Sequence, residues 1–136
     1  MQLKVGQVFW YEVEYPKTGE VEKRPVAILE INNGIPIFVT FVTLTHSKIK
    51  DINGKYDKWK TPLFKGRECG LGDSSYAKTN CIAEADASSF KQKDYITQLH
   101  PIDLKNIIKG VKNSLIQAKN LGKKNYILFK QLTTPF

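Results

Sequence analysis

IPIFVTFVTLT, residues 35–45, is the most strongly strand-forming stretch of the chain. β-Branched and aromatic residues fill it, and period-two alternation divides them. Ile37, Val39, Phe41, Thr43 and Thr45 share one face, and Phe38, Thr40, Val42 and Leu44 the other. Immediately before it, Asn32-Asn33-Gly34 is a tight hairpin signal, because Asn and Gly tolerate positive φ. Residues 24–31 (RPVAILEI) therefore read as the partner strand, with Pro25 near its start, where a missing N–H costs least. Further upstream, residues 5–15 (VGQVFWYEVEY) alternate behind a turn at Gly6, and PKTGEVE, centred on Gly19, separates them from residues 24–31. These three segments read as strands joined by turns.

Downstream the pattern changes. Residues 46–68 (HSKIKDINGKYDKWKTPLFKGRE) lose apolar content, and their lysines cluster around Asn53-Gly54, so they read as a long loop or a flexible hairpin. CGLGD (69–73) is a further turn, SSYAKTNCIA (74–83) a short strand, and DASSF (86–90) one helical turn capped by Asp86. His100-Pro101 then opens a helix with Asp103 in its first turn. Leu104, Ile108, Val111, Leu115 and Ala118 form its apolar stripe, read as core or dimer interface, and Gly122 can end it. A strand at Tyr126–Phe129 is expected in the remainder. The expected fold class is mostly β with a late helix (α+β), a small barrel or sandwich.

The 136 residues have room for one domain, and a 41% apolar, 25% charged composition is ordinary for a globular one. No stretch reaches the ~20 apolar residues that cross a bilayer. The opening MQLKVGQVFW lacks the apolar run of a signal peptide, so no membrane association and a cytoplasmic location are expected. Cys69 and Cys81, twelve positions apart, match no zinc-site spacing, and His46 and His100 are far apart. No metal or cofactor is expected, and the cysteines read as reduced thiols. The net charge of +8, from 21 Lys and Arg against 13 Asp and Glu, suits a polyanionic partner.

Three segments in order carry a more specific resemblance. They are GQVFWYEVEY with KRPVAIL (within 6–29), FVTFVTLTHSK (38–48) and GLGDSSYAKTNCIAEADASSFKQKDYITQLHPIDLKNI (70–107). Together they resemble the MazF/PemK toxin family over roughly residues 4–119, leaving 120–136 as an extension of a single 1–136 domain. The resemblance implies a small SH3-like β-barrel of the MazF/CcdB type, and metal-independent cleavage of single-stranded RNA to a 2′,3′-cyclic phosphate. It also implies a homodimer and neutralisation by a cognate antitoxin.

On that resemblance Arg24 is the first catalytic candidate, since a guanidinium presents a permanently charged fork of donors to phosphoryl oxygens. The plainer reading of Arg24 is a surface ion pair with Glu20 or Glu22. Its partner is a threonine at the end of the strong strand, Thr43 or Thr45, with Thr45 preferred because it lies nearer the loop. PemK-type relatives carry an Arg and an Asp on a later strand, where this chain has Lys78 and Asn80. Lysine still binds phosphate, but asparagine is no base. His46 could supply acid–base chemistry, although strand alternation would point it away from Thr45. In the loop, Lys48, Lys50, Lys58 and Lys60 with Trp59 have the cation-and-ring composition that holds single strands. The competing reading is that Trp59 and Phe64 anchor the loop to the core. Two other functions stay open: a non-catalytic RNA- or antitoxin-binding relative, and a CcdB-like toxin that binds gyrase.

Overall fold

The computed structural model describes residues 2–14, 18–34, 37–46, 49–50, 53–54, 57–66, 68–71 and 75–120, with residues 57 and 117–120 described by backbone alone. Six strands form one wholly antiparallel sheet in the order β4-β5-β3-β2-β1-β6. They are β1 (Gln7–Glu14), β2 (Val21–Asn32), β3 (Phe38–Thr45), β4 (Lys60–Pro62), β5 (Tyr76–Asp86) and β6 (Tyr95–Gln98). One helix, α1 (Pro101–Asn120), follows β6. The mostly β, late-helix architecture is as expected. The sheet is open rather than closed into the expected barrel, because β4 and β6 lie at opposite edges.

Alternation along the central strands gives the sheet two apolar faces. Val8, Ala27, Val42, Leu44 and Ala77 cluster on one side with Leu63, Leu99 and Ile107, so α1 and the segment after β4 cover that face. Phe9, Val26, Ile28, Val39 and Phe41 cluster on the other, closed by Phe90. Phe90 meets Phe9 edge-on at 5.6 Å and stacks on Tyr11 at 4.6 Å. The sequence of the capped turn explains its position: Asp86 accepts the Ser88 N–H at 2.9 Å, and Ala87–Ser89 form one 3-10 turn that delivers Phe90 to that face. Gly6, at φ +92°, ties three strands together. Its N–H bonds Ile28 O at 2.7 Å and its carbonyl receives Leu99 N–H at 2.8 Å. A Cβ there would strike the Gln98 amide and face a backbone conformation side chains disfavour.

The packed stripe of α1 coincides only in part with the expected one: Val111 packs against the core, but the fully buried positions are others. The buried positions are Asp103, Ile107 and Ser114, whereas Leu115 and Ile116 are exposed. Polar groups occupy the inner face because each is satisfied there. Both Asp103 oxygens accept backbone N–H groups, from Phe64 and Lys65, each at 2.9 Å. Ser114 Oγ donates to Thr79 O at 2.8 Å. Between them Gly110 permits close approach, since a Cβ would lie 2.7 Å from Thr61 Oγ1 and 2.8 Å from Thr79 Cγ2. The expected strand at Tyr126–Phe129, Gly122 and Ala118's place in the stripe lie outside what is described.

β5 departs from regular pairing. Val42 faces Ile82 and Leu44 faces Ala77, so β5 spends three more residues than β3 over the same length. The bulge contains Lys78, Thr79, Asn80 and Cys81. Thr79 Oγ1 donates to Trp59 O at 2.6 Å, fixing the backbone just before β4.

Candidate active site

β2 and β3 pair up to Val26 opposite Thr43 and no further. The next residue of β2 toward its start is Pro25, which has no N–H to continue the ladder. A cleft of about 110 Å³ opens there, lined by Arg24, Pro25, Leu44, Thr45, His46, Leu71 and Ser75, with Trp10 and Lys23 at its rim. Continuing the register past Val26 brings Arg24 level with Thr45, whose backbone is held on its other side opposite Tyr76 of β5. The cleft therefore gathers three of the residues singled out in the sequence: Arg24, Thr45 and His46.

His46 shares the cleft with Thr45, contrary to strand alternation. The reason is that β3 ends at Thr45, so period two no longer governs the next side chain. His46 Nδ1 lies 3.4 Å from Ser75 Oγ, and Ser75 Oγ also bonds Leu71 O at 3.3 Å. Ser75 Oγ has one proton for these two contacts, and the tautomer of the His46 ring sets which atom donates in the longer one. Thr43 behaves differently. It is only 2% exposed and does not line the cleft, so of the two threonines only Thr45 reaches it.

Arg24 makes the ion pair that was its plainer reading. Its Nε donates to Glu22 Oε2 at 2.8 Å, and its Nη2 lies 2.6 Å from the same oxygen. The two side chains are 47% and 38% exposed, so the pair contributes at most about 1 kcal/mol.

The far wall of the cleft, Leu71 and Ser75, is secured from a distance. Leu63 N–H bonds Ser75 O at 2.9 Å, Gly66 N–H bonds Leu63 O at 3.2 Å and Leu71 N–H bonds Gly66 O at 2.9 Å. Asp103 holds the middle of this turn through Phe64 and Lys65. Sequence reading placed Asp103 in the helix first turn for its dipole, and gave no sign that its carboxylate reaches across to a loop forty residues earlier.

The remaining candidates stand apart from the cleft. Lys60 and Lys78 face each other across β4 and β5, two like charges on neighbouring strands. Asn80 accepts from Cys81 Sγ at 3.6 Å, and burial pushes the Cys81 thiol up, against an opposing effect of Lys78. Lys58 Nζ sits 5.0 Å from the centre of the half-buried Trp59 ring. Lys50 is exposed, and Lys48 lies outside the described residues. Phe64 is no anchor, at 72% exposed; its neighbour Leu63 enters the core instead. Trp10, 44% exposed at the cleft rim, was missed by sequence reading, because a tryptophan in an alternating strand reads as core. Among the described residues no three His, Cys, Asp or Glu side chains group to hold a metal, and no helix is long and apolar enough to cross a membrane.

Among solved structures, the chain is similar to an endoribonuclease from a mycobacterial species in complex with its cognate antitoxin. The TM-score is 0.58 and the identity 18%, over 84% of this chain and 95% of that one. It is similar also to a second mycobacterial endoribonuclease, with TM-score 0.54 and 16% identity over 81% and 88% of the two chains. At this identity the likeness is one of fold. No protein-family profile matches the chain, and no curated protein matches it in sequence.

Proposed function

We propose that the protein is an endoribonuclease toxin of the MazF/PemK kind, acting on single-stranded RNA without a metal and held in check by an antitoxin. The observation that carries this reading is the convergence of Arg24, Thr45 and His46 on one cleft. The fold shared with two endoribonucleases, one of them bound to its antitoxin, supports it. A homodimer in the cytoplasm is part of the same reading.

In the proposed reaction the scissile phosphate displaces Glu22 from Arg24, and the guanidinium stabilises charge gathering on its oxygens. Thr45 Oγ donates to one of those oxygens and fixes the phosphate's orientation. His46 Nε2 takes the proton of the ribose 2′-hydroxyl. The 2′-oxygen forms its bond to phosphorus as the bond from phosphorus to the 5′-oxygen breaks, and water in the open cleft protonates the leaving oxygen. The products are a 2′,3′-cyclic phosphate and a 5′-hydroxyl. Lys50, Lys58, Lys60 and Lys78 with Trp59 supply backbone attraction and stacking beyond the cleft, and Lys48 and Asn80 are proposed contacts of the same strand.

End-labelled RNA incubated with the protein in EDTA tests this directly. Cleavage to cyclic-phosphate ends is expected, with Arg24→Ala slower by on the order of 10²–10³, the cost of one preorganised donor. Full activity in a folded Arg24→Ala protein, or loss of wild-type cleavage in EDTA, overturns it. A second reading, RNA binding without cleavage, is favoured by the Glu22 carboxylate already seated on Arg24. Retention of RNA with no new ends in the same incubation would establish that alternative.

A further inference from the structure

The cleft at Arg24 is too small for a whole nucleotide. At about 110 Å³ it takes a phosphate and the sugar atoms beside it, so the base of any bound nucleotide must lie elsewhere. A second cavity, of about 390 Å³, adjoins it, and Trp10 and Lys23 wall both. This volume is in the range of sites for small organic ligands.

The sheet makes this cavity. β6 pairs with β1 only at Gln7, Val8 and Phe9, while β1 runs on to Glu14. Beyond Phe9 the outer edge of β1 has no strand against it among the described residues, and the 3-10 turn Gln92–Asp94 lies beside β1 instead. The space between is bounded by Tyr11, Glu12, Lys93 and Asp94. Its Tyr11 wall is rigid, since the ring stacks on Phe90 and its hydroxyl lies 2.9 Å from Ser89 Oγ. On the opposite side Trp10 offers an exposed aromatic surface of the kind on which bases stack.

We propose that this cavity is the base subsite of the RNA site, and that it selects guanine. The proposal rests on the RNA reading above. Two carboxylates, Glu12 and Asp94, line the cavity, and an ionised carboxylate only accepts hydrogen bonds. Lys23 Nζ lies 3.8 Å from Asp94 Oδ1, an ion pair too long to consume the oxygen's hydrogen-bonding capacity. Guanine is the base whose edge carries two adjacent donors, the ring N–H and the exocyclic amino group, and these match two carboxylate oxygens side by side. Uracil flanks its single N–H with carbonyls, and adenine and cytosine set a ring acceptor beside the amino group, so each brings a lone pair against the carboxylate. Lys23 and Lys93 offset the carboxylate charge, which would otherwise repel the RNA backbone.

The test uses the full chain and uncleavable 2′-O-methyl RNA hexamers that differ at one position, read by fluorescence anisotropy. Guanine at the selected position is expected to bind about tenfold or more tightly than inosine, which lacks only the amino group, in line with one bidentate pair. The Glu12→Gln/Asp94→Asn double variant should bring the guanine-to-inosine ratio close to one, and Trp10→Ala should weaken binding while keeping the ratio. Equal binding of guanine and inosine at every position overturns the proposal, as does a ratio that survives in the double variant. A hexamer that fails to bind at all overturns it too. Cleavage of ordinary RNA without guanine preference would sink the subsite and leave the nuclease standing. Guanine-selective binding without cleavage would do the reverse.

Discussion

Replacing Asp103 by asparagine changes one atom in shape and should cost the fold about 3 kcal/mol. The carboxylate is completely buried, and its two oxygens receive the backbone N–H groups of Phe64 and Lys65 at 2.9 Å each. Hydrogen bonds to a charged acceptor contribute roughly 1.5–3 kcal/mol each, and a buried N–H left without a partner costs about 1–3 kcal/mol. Asparagine keeps one acceptor, but turns its amide N–H₂ toward the other donor. One charge-assisted bond is therefore lost and one buried donor orphaned. For a chain of 136 residues, roughly 3–4 °C per kcal/mol applies, so the melting temperature should fall by about 10 °C. Circular dichroism melts, together with urea titrations in which the midpoint moves and the slope does not, read this out. The turn that Asp103 holds leads to Leu71 and Ser75, so the variant's cleavage at 20 °C should also drop while it remains folded. A melting temperature within 2 °C of the parent protein would refute the reasoning, because it would mean that the loop donors find water or another acceptor once the carboxylate is gone.

Three further outcomes are expected. Gly110→Ala should destabilise: helix propensity favours alanine by about 1 kcal/mol, but the methyl would press on Thr61 and Thr79, and overpacking costs about 1–3 kcal/mol; a raised urea midpoint would contradict the close packing. The Asp86 carboxyl is held below its ordinary range by the Ser88 backbone N–H, so its contribution is complete above the unfolded value and is lost as pH falls through the folded one. The stability gap between wild type and Asp86→Ala, measured by thermal melts, should therefore be larger at pH 7 than at pH 2.5, and a constant gap would remove the cap from the account. Changing Lys58, Lys60 and Lys78 together to glutamine should lower the slope of log binding constant against log salt by about 2, at ~0.7 per phosphate contact, and an unaltered slope would take these lysines off the RNA path.

The central sheet was readable because its signals are local. Gly34 N–H bonds Asn32 O at the end of β2, Gly6 permits the junction before β1, and Asp86 caps its own 3-10 turn. β4 and β6 escaped notice: Lys60–Pro62 is three half-buried residues inside a lysine-rich stretch, and Tyr95–Gln98 shows no alternation. Such short strands exist because a neighbour offers a ladder, which no local pattern records. The inward face of α1 was misjudged for a related reason. Apolar residues at helical spacing trace Leu104 to Leu115, but the sheet accepts Asp103, Gly110 and Ser114, whose polarity or size is answered by Phe64, Lys65 and Thr79. Around the cleft, Arg24 and Thr45 were singled out through the resemblance, and both line it. The partnership of His46 with Ser75 needed the end of β3 to be known, and the carboxylate-lined space beside Trp10 depends on where β6 stops.

The outer edge of β1 beyond Phe9, against which no strand lies among the described residues, bears on how copies of this protein meet. An uncovered strand edge invites an identical strand to add to it, the usual route to runaway assembly. Here two antiparallel copies joined about Glu12 would set Glu12 directly against Glu12, two like charges at the centre of the join, and each Glu14 opposite the other copy's Trp10. The edge thus discourages its own kind, and stays open to a ligand or chain that brings donors or positive charge.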